Sequence, residues 1–440
     1  MTSPALRPPH DYADAVELCR DLIRIDTSNH GDGSGPGERA AAELVAGLLA
    51  DAGLEPEVVE PAPRRTSVVA RLPGVDRSRP ALLLHGHLDV VPAPADQWSV
   101  DPFGGEVRDG CLWGRGAVDM KDMDAMILAV LRRRLAEGRP PARDVVVAFF
   151  ADEEAGGQQG SFWLAEHRRE LFADCTEAVS EVGGFSVTLA DQQRAYFIET
   201  ARKGVAWVRA TAKGDAAHAS LTNTENAVTR LCAAVARVGE HRWPAQLSGT
   251  SAQLVEVLSD LLGQEIDPEH LDLSGTPLAP VAGLITSSLR HTANPTMFEA
   301  GQAFNVVPGQ ASAFIDGRFV PGFADEFVSC IRELLGPGVQ TELADLTSGG
   351  ESPSDSSLVA AMEQALRSQD PGARTVPYCA AASTDNAAFH DAGIQGYGFA
   401  PLKLPPGFDF AAMYHGVDER VPVESVQFGA RVLDRFLDLC

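Results

Sequence analysis

Histidine and acidic side chains stand at the ends of several apolar runs in this 440-residue chain. The run Leu82–Leu84 leads to His87, and Asp89 follows two residues later. Imidazole is a good ligand for zinc and related ions, and a carboxylate that accepts the second ring N–H fixes the tautomer of such a ligand. A histidine and an aspartate at this spacing are common by chance. The pair therefore indicates metal chemistry only if other ligands converge on the same place.

Other stretches repeat this arrangement. The apolar run 145–150 is followed by Glu153 and Glu154, and the run 178–180 by Glu181. Adjacent carboxylates after a buried strand are costly unless a cation or solvent compensates them, and one can bind metal while the other takes a proton from water. Asp119, in a glycine-rich turn, and the distant His415 complete the set. Imidazole and carboxylate groups without sulfur favour a two-metal hydrolytic centre over a structural zinc site.

The elements that must position these groups follow from the apolar spacing. Short, nearly continuous apolar runs predict buried strands at 67–72, 81–84, 145–150 and 178–180, and helical spacing predicts helices at 13–25, 38–52 and 120–137. Strands of this kind that alternate with helices indicate an α/β fold with a mainly parallel sheet. Ligand sites in such folds lie at the carboxyl ends of the strands, where His87 and the glutamates fall.

The pattern changes near residue 201. An alternating stretch at 204–212, amphipathic helices at 225–238, 251–262 and 324–335, and one or two strands within 304–319 predict a small α+β module inserted into the larger domain. We expect the catalytic domain to comprise 1–201 and 349–440, and the insert to comprise 202–348. The stretch 243–295, rich in Pro, Gly, Ser and Thr, receives no assignment.

Composition excludes several classes of function. With 36 Lys and Arg against 61 Asp and Glu, the net charge is −25, which argues against nucleic-acid binding and attachment to an anionic membrane. Seven scattered cysteines without a C-x-x-C pair, and no secretory signal, predict a cytoplasmic protein with reduced thiols. The sequence also contains no G-x-S-x-G, H-E-x-x-H or G-x-x-x-x-G-K-[ST] motif.

The sequence resembles the family of dinuclear-zinc exopeptidases and amidohydrolases that includes aminoacylase, glutamate carboxypeptidase, acetylornithine deacetylase and succinyl-diaminopimelate desuccinylase. The matching blocks occur in the family's order across nearly the whole chain. They are HGHLDVVP (85–92), WSVDPFGGEVRDGCLWGRGAVDMK (98–121), ADEEAGG (151–157), SEVGG (180–184), GDAAHAS (214–220), FNVVPGQASAFIDGRF (304–319), STDNAAF (383–389) and HGVDERV (415–421). The resemblance implies a zinc-exopeptidase-like catalytic domain and a ferredoxin-like lid or dimerisation domain.

The resemblance also implies a role for each residue of the proposed metal centre. Asp119 would bridge two divalent ions, zinc in most cases, with cobalt or manganese as alternatives. His87 and Glu181 would complete one site, and Glu154 and His415 the other. Glu153 would be the general base, and Asp89 would orient His87. A cis peptide bond is expected after the bridging aspartate, between Asp119 and Met120.

Further positions match the family's substrate-side residues. His218 would reach into the active site of a partner subunit and stabilise the oxyanion there, which implies a homodimer. Without the resemblance, the residues around His218 predict only a histidine in a turn. Arg318 would bind the substrate carboxylate. The alternative is that Arg318 is a solvated arginine at the end of a strand, since the sequence pattern is the same. The remaining positions in this group are Asn305, Thr384 and Asp385.

The chain departs from the family pattern at two places. Ala387 replaces an arginine often found there, which argues against recognition of a second carboxylate, and Val182 stands where a glycine commonly follows the ligand glutamate. We therefore expect a hydrolase that cleaves an amide or peptide bond beside a free carboxylate, of the deacylase, carboxypeptidase or dipeptidase type. The alternative is a non-catalytic relative that binds small molecules or regulates. That alternative predicts loss of the base or the ligands, and all six residues are present.

Overall fold

A computed structural model of the chain describes residues 12–190 and 193–440. The α-helices are α1 Ala13–Ile23, α2 Arg39–Asp51, α3 Lys121–Glu137, α4 Ser161–His167, α5 Ala227–Glu240, α6 Gly249–Leu262, α7 Ala282–Ser288, α8 Ala324–Leu335, α9 Ser357–Gln369, α10 Asn386–His390 and α11 Val423–Phe436. None of these helices has the length and apolar character that crossing a membrane requires within the described ranges.

The strands fall into four sheets. They are β1 Glu57–Ala62, β2 Arg65–Leu72, β3 Ala81–His87, β4 Glu106–Arg108, β5 Cys111–Trp113, β6 Val145–Phe150, β7 Cys175–Ser180, β8 Ser186–Ala190, β9 Gln193–Arg202, β10 Gly204–Lys213, β11 Ala217–His218, β12 Thr292–Ala300, β13 Val306–Val307, β14 Gln310–Phe319, β15 Val339–Thr347, β16 Gly350–Glu351, β17 Ala373–Ala380, β18 Gln395–Gly398 and β19 Arg420–Pro422.

The largest sheet has the order β1-β2-β6-β3-β7-β18-β9-β16, with β17 and β8 also paired to β9. Its centre is parallel, since β3 pairs in parallel with both β6 and β7, and β18 pairs in parallel with β7. Every residue of β3 and β6 is buried, which explains their continuous apolar sequences. The α/β architecture expected from the sequence is confirmed. Its centre brings the carboxyl ends of β6, β3 and β7 side by side.

A second, antiparallel sheet has the order β12-β14-β10-β15 and packs with α5 and α8 around its own apolar core. Strand β10 alternates buried and exposed side chains because only one face of this sheet is covered. This is the α+β unit that the sequence predicts after residue 201.

One stretch within the predicted insert packs elsewhere. The segment 249–289, which carries α6 and α7, contributes Leu254, Leu258 and Ile285 to the core of the largest sheet. The hydroxyl of Ser288 donates to the backbone oxygen of Cys379 in β17 at 2.6 Å. The limits 1–201, 202–348 and 349–440 stay a prediction, and residues 1–11 lie outside the described chain. Within these limits, the segment 249–289 packs on the largest sheet, apart from the core of the second sheet.

Candidate metal centre

The expected metal ligands converge at the carboxyl ends of the central strands. His87 ends β3 directly opposite Phe150 of β6, and the chain after β6 turns at once to present Glu153 and Glu154. Glu181 follows the last residue of β7. Asp119 lies just before α3, and His415 precedes β19. The fold therefore assembles one cluster from groups that are far apart in the sequence.

The separations between ligand atoms fit divalent ions. Asp119 Oδ1 lies 3.1 Å from His87 Nε2, and Asp119 Oδ2 lies 3.3 Å from His415 Nε2. His415 Nε2 is 3.1 Å from Glu154 Oε2, and His87 Nε2 is 3.6 Å from Glu181 Oε2. Two atoms that bind one tetrahedral zinc ion at about 2.0–2.2 Å lie roughly 3.3–3.6 Å apart. The donors are nitrogen and oxygen throughout, so both their chemistry and their spacing suit such an ion.

The two halves of this cluster differ in exposure. The side chain of His87 is 1% exposed, whereas that of His415 is 56% exposed. Asp119 lies between them and directs one carboxylate oxygen towards each imidazole. The cluster therefore has a deep half, at His87 and Glu181, and a shallow half, at Glu154 and His415.

Several acidic side chains of the cluster have pKa values far from their usual range. Burial raises the pKa of Glu181 to about 8, although the nearby His87 opposes this shift. Burial also raises the pKa of Glu153 well above its usual range. Asp119 moves in the other direction: burial opposes ionisation, but hydrogen bonds with His415 and His87 lower its pKa. Cations are what such a cluster of carboxylates requires.

Glu153 stands beside the ligands at a greater distance. Its Oε2 atom lies 3.9 Å from His87 Nε2, beyond hydrogen-bonding distance. His87, Glu153 and Glu181 still offer ligand atoms within 4.8 Å of one another, as do His87, Asp119 and Glu154. This position suits a carboxylate that handles a proton next to the ions.

Asp89 acts differently from the expected orienting carboxylate. The Nδ1 atom of His87 lies 3.0 Å from the backbone oxygen of Asp89, while the nearest carboxylate oxygen is 3.7 Å away. The carboxylate instead accepts the backbone N–H groups of Glu153 at 3.0 Å and Glu154 at 3.1 Å. The chain bends after β3, so the main chain of Asp89 reaches the imidazole and its side chain fixes the next loop. The hydrogen-bonding contact with His87 is thus made by the Asp89 backbone, and an orienting role for the Asp89 carboxylate stays a prediction.

Backbone conformations near the cluster are unusual. Asp152, Val182 and His415 have φ values of 69°, 63° and 55°. Such left-handed residues cost about 1–3 kcal/mol each and concentrate at functional sites. Val182 therefore adopts a conformation that favours glycine, in line with its departure from the family pattern. The next residue, Gly183, has no room for a side chain, because a Cβ atom there would lie only 2.0 Å from the backbone oxygen of Gly398.

The expected cis peptide bond is present between Asp119 and Met120. Around it, the carboxylate of Glu419 accepts the backbone N–H groups of Val118 at 2.7 Å and Asp119 at 3.2 Å. It also accepts the guanidinium of Arg115 at 2.7 Å. The segment that supplies His415 thus also holds the loop that supplies Asp119. The sequence motif contains Glu419, but residue types alone do not reveal this contact.

Asn29 is a second residue that the sequence does not reveal. Its amide nitrogen lies 2.9 Å from Asp89 Oδ2 and 3.1 Å from Asp152 Oδ1, and its amide oxygen accepts from Arg65 at 2.8 Å. All four side chains are buried. Asn29 therefore joins the end of β3 to the loop that carries Glu153, through contacts distant in the sequence.

Replacing Asn29 with alanine should reduce the free energy of unfolding by about 3 kcal/mol, because buried charged groups lose their partners. Urea denaturation measures this change. Gln264, an exposed amide side chain after α6, provides the alanine control, for which a change within about 0.5 kcal/mol is expected. Equal effects of the two substitutions would contradict a specific role for Asn29.

The other predicted site residues lie away from this cluster. His218 is exposed on β11, with Nδ1 2.8 Å from the hydroxyl of Ser220. Arg318 on β14 forms a bidentate pair with Asp316, at 2.6 and 2.8 Å, so its guanidinium already has a carboxylate partner. Asn305 is exposed, and its backbone oxygen accepts the N–H of Ala219. The structure does not bring these three residues to the ligands within the described chain.

The side chains of Thr384 and Asp385, which the sequence predicts to contact substrate, are both buried. Burial raises the pKa of Asp385 to about 7, against the attraction of His87. A Cβ atom on Gly157 would lie 3.3 Å from Asp385 Oδ1, which places this carboxylate beneath the loop that carries Glu153. Asp385 thus lies behind the site, and substrate contacts by Thr384 and Asp385 stay a prediction.

Comparison with known proteins agrees with this geometry. The model of Peptidase family M20/M25/M40 matches residues 83–439. Aminoacylase-1 of Sus scrofa is 29% identical over 417 residues, which cover 92% of this chain and 90% of that protein. The N-fatty-acyl-amino acid synthase/hydrolase PM20D1 of Xenopus tropicalis is 28% identical over 371 residues, 81% of this chain and 72% of that protein.

Solved structures show the same fold. The M20 family metallo-carboxypeptidase Sso-CP2 from Sulfolobus solfataricus has a TM-score of 0.72 at 17% identity, with 97% of this chain and 99% of that chain covered. Human carnosine dipeptidase 1 has a TM-score of 0.70 at 16% identity, with 97% and 95% covered.

Proposed function

The chain belongs to peptidase family M20/M25/M40, and from this membership we propose that it hydrolyses the amide bond of an N-acyl amino acid or small peptide with a free carboxylate. It is a metallohydrolase related to aminoacylase, with a candidate metal-binding site in its structure. The observation that carries the proposal is the pair of imidazoles facing opposite oxygens of Asp119, at 3.1 and 3.3 Å.

In the proposed centre, His87, Asp119 and Glu181 would hold one divalent ion, and Asp119, Glu154 and His415 would hold the other. When bound, two such ions, zinc in the first instance, would supply Lewis-acid chemistry that activates water and the scissile carbonyl. Glu153 takes the proton from the attacking water and returns it to the leaving nitrogen. Asp89 and Asn29 keep Glu153 in place, since they hold its backbone and the adjoining loop.

We propose that the enzyme is a homodimer formed through the second sheet, and that it is cytoplasmic. Strand β12 lies at the edge of that sheet and exposes Met297 and Phe298. An edge strand with exposed apolar side chains is suited to pairing with another chain. All seven cysteines are free thiols, which supports a reducing compartment.

A hydrolysis screen tests the proposed function. N-acetyl, N-succinyl and N-carbamoyl amino acids and dipeptides are incubated with the enzyme in the presence of zinc, cobalt or manganese. Metal-dependent release of a free amino acid is expected for at least one class. Hydrolysis of none of them, by protein that binds the metal, would favour the alternative of a non-catalytic relative that only binds small molecules.

His218 is proposed to stabilise the oxyanion in the partner subunit's site, because it is exposed and lies apart from its own chain's cluster. His218→Ala should lower kcat by about 10²- to 10³-fold. A co-purified heterodimer of His218→Ala and Glu153→Gln subunits should recover about half of the wild-type activity, because one of its two sites is complete. His270→Ala, at a histidine that is also exposed, is the control and should have no effect. A heterodimer as inactive as its parents would exclude action between subunits.

A further inference from the structure

A cavity of about 320 Å³ opens directly beside the proposed metal centre. Its acidic side is formed by the ligands Asp119, Glu154, Glu181 and His415, together with the proposed base, Glu153. Because a scissile carbonyl must lie at these groups, the rest of the cavity receives a substituent of the substrate. The character of the remaining wall therefore determines which substituent is accepted.

The rest of the cavity lining is almost entirely apolar. It consists of Val182, Leu284, residues 380–382, which are all alanine, and Ala411, and we call this set the apolar wall. Residues 380–382 form the end of β17 and the loop that follows it. Leu284 comes from α7, within the segment that packs on the largest sheet. The wall thus combines four separate parts of the chain into one surface.

The two tyrosines that complete the lining add little polarity. The hydroxyl of Tyr378 donates to the backbone oxygen of Val182, so its hydrogen is already used. The ring of Tyr414 packs edge-to-face against Phe410, with the ring centroids 5.1 Å apart. Ser383 adds one further hydroxyl. Neither tyrosine supplies a charge to a bound group.

The cavity lacks a partner for a charged substituent. No lysine or arginine is among its lining residues in the described chain, so a substrate carboxylate would find no basic side chain to pair with here. Its four carboxylates are already assigned to the ions or to proton transfer, so none remains for a substrate ammonium. A charged group buried here would carry the full cost of desolvation. The wall therefore selects an uncharged, apolar substituent.

We propose that this cavity binds the acyl side of the substrate, and that the enzyme prefers N-acyl amino acids with an apolar acyl chain of intermediate length. This inference rests on the proposed function. The amino-acid side does not fit the cavity, because the lining offers its α-carboxylate no lysine or arginine. A volume of 320 Å³ is near the lower end of the range for ligand pockets, about 300–1,000 Å³, so long fatty chains exceed it.

The test measures kcat/KM for N-acetyl, N-butyryl, N-hexanoyl and N-dodecanoyl derivatives of one amino acid, with N-succinyl and dipeptide substrates for comparison. Each added methylene that becomes buried should raise kcat/KM about fourfold up to the hexanoyl compound. The dodecanoyl compound should fall below this maximum. The N-succinyl substrate and the dipeptide should be at least tenfold poorer than the butyryl compound.

Variants of the apolar wall test whether its residues determine the preference for acyl chain length. Ala381→Leu narrows the cavity and should move the optimum to a shorter chain, with the acetyl substrate least affected. Leu284→Ala removes apolar contact and should flatten the dependence on chain length. Leu346→Ala, at an exposed leucine on β15, is the matched control and should leave the profile unchanged.

The outcomes separate this inference from the proposed function. If no N-acyl amino acid or peptide is hydrolysed, the proposed function itself fails. Hydrolysis without a rise from acetyl to hexanoyl, or faster hydrolysis of the dipeptide or N-succinyl substrate, would overturn the inference alone. A shifted optimum in Ala381→Leu, with an unchanged profile in Leu346→Ala, would support it.

Discussion

Replacing Glu153 with glutamine is expected to lower kcat by about 10³- to 10⁴-fold while the metal content of the protein stays the same. Glutamine has the shape of glutamate but cannot take a proton from water or return one to the leaving nitrogen. The carboxylate lies 3.9 Å from His87 Nε2, beside the ligands, so its replacement leaves the donor set intact. The largest effect should therefore fall on turnover, with little change in metal binding.

Steady-state kinetics and elemental analysis of the same preparation measure both quantities. Glu166→Gln is the control, since the Glu166 side chain is 72% exposed, and it should retain wild-type activity. A Glu153→Gln enzyme within tenfold of wild type would show that another group moves the proton. Loss of metal together with activity would instead assign Glu153 to the ligands.

Replacing Asp119 with alanine is expected to remove most of the bound metal. Because the reaction depends on that metal, the hydrolytic activity should fall by at least about 10³-fold. One carboxylate faces both imidazoles, so a single substitution takes a ligand from each half of the cluster. The remaining carboxylates would then repel one another more strongly, because fewer bound cations screen their charges. Both halves should lose affinity, the shallow half at His415 more than the deep half at His87.

Titration of the metal-free protein with zinc, followed by calorimetry, measures this effect. Wild-type protein should bind two ions per chain, and Asp119→Ala should bind fewer than one at the same concentration. Asp96→Ala, at an exposed aspartate, should match wild type. Two ions bound by Asp119→Ala with unchanged affinity would contradict the bridging role.

The sequence predicts the central strands and several helices well, because their patterns are strong and local. The bounds predicted for β6 and α8 agree with the structure, since a continuous apolar run and a clear amphipathic repeat leave little choice. The segment 249–289 is different. Its apolar residues are separated by polar and helix-breaking ones, and only contact with β17 shows which core they join.

The same contrast applies to the site. His87, Glu154 and Glu181 follow strands, so their convergence can be predicted from strand ends alone. Asn29, Glu419 and Leu284 act through partners far away in the sequence, and no local pattern marks them. Asp89 shows the limit most clearly, because its spacing from His87 is right while the atom that meets the imidazole is a backbone oxygen.

Glu419 can hold the Asp119 loop only after the C-terminal segment of the chain has been synthesised. During synthesis, the loop at 116–119 leaves the ribosome about 300 residues before the carboxylate that holds its N–H groups. Until residues 415–419 arrive, the nascent chain has no His415 and no anchor for Asp119. Such long-range closure is slow compared with local folding. Hydrolytic competence should therefore appear as one late event, after the rest of the central sheet has formed.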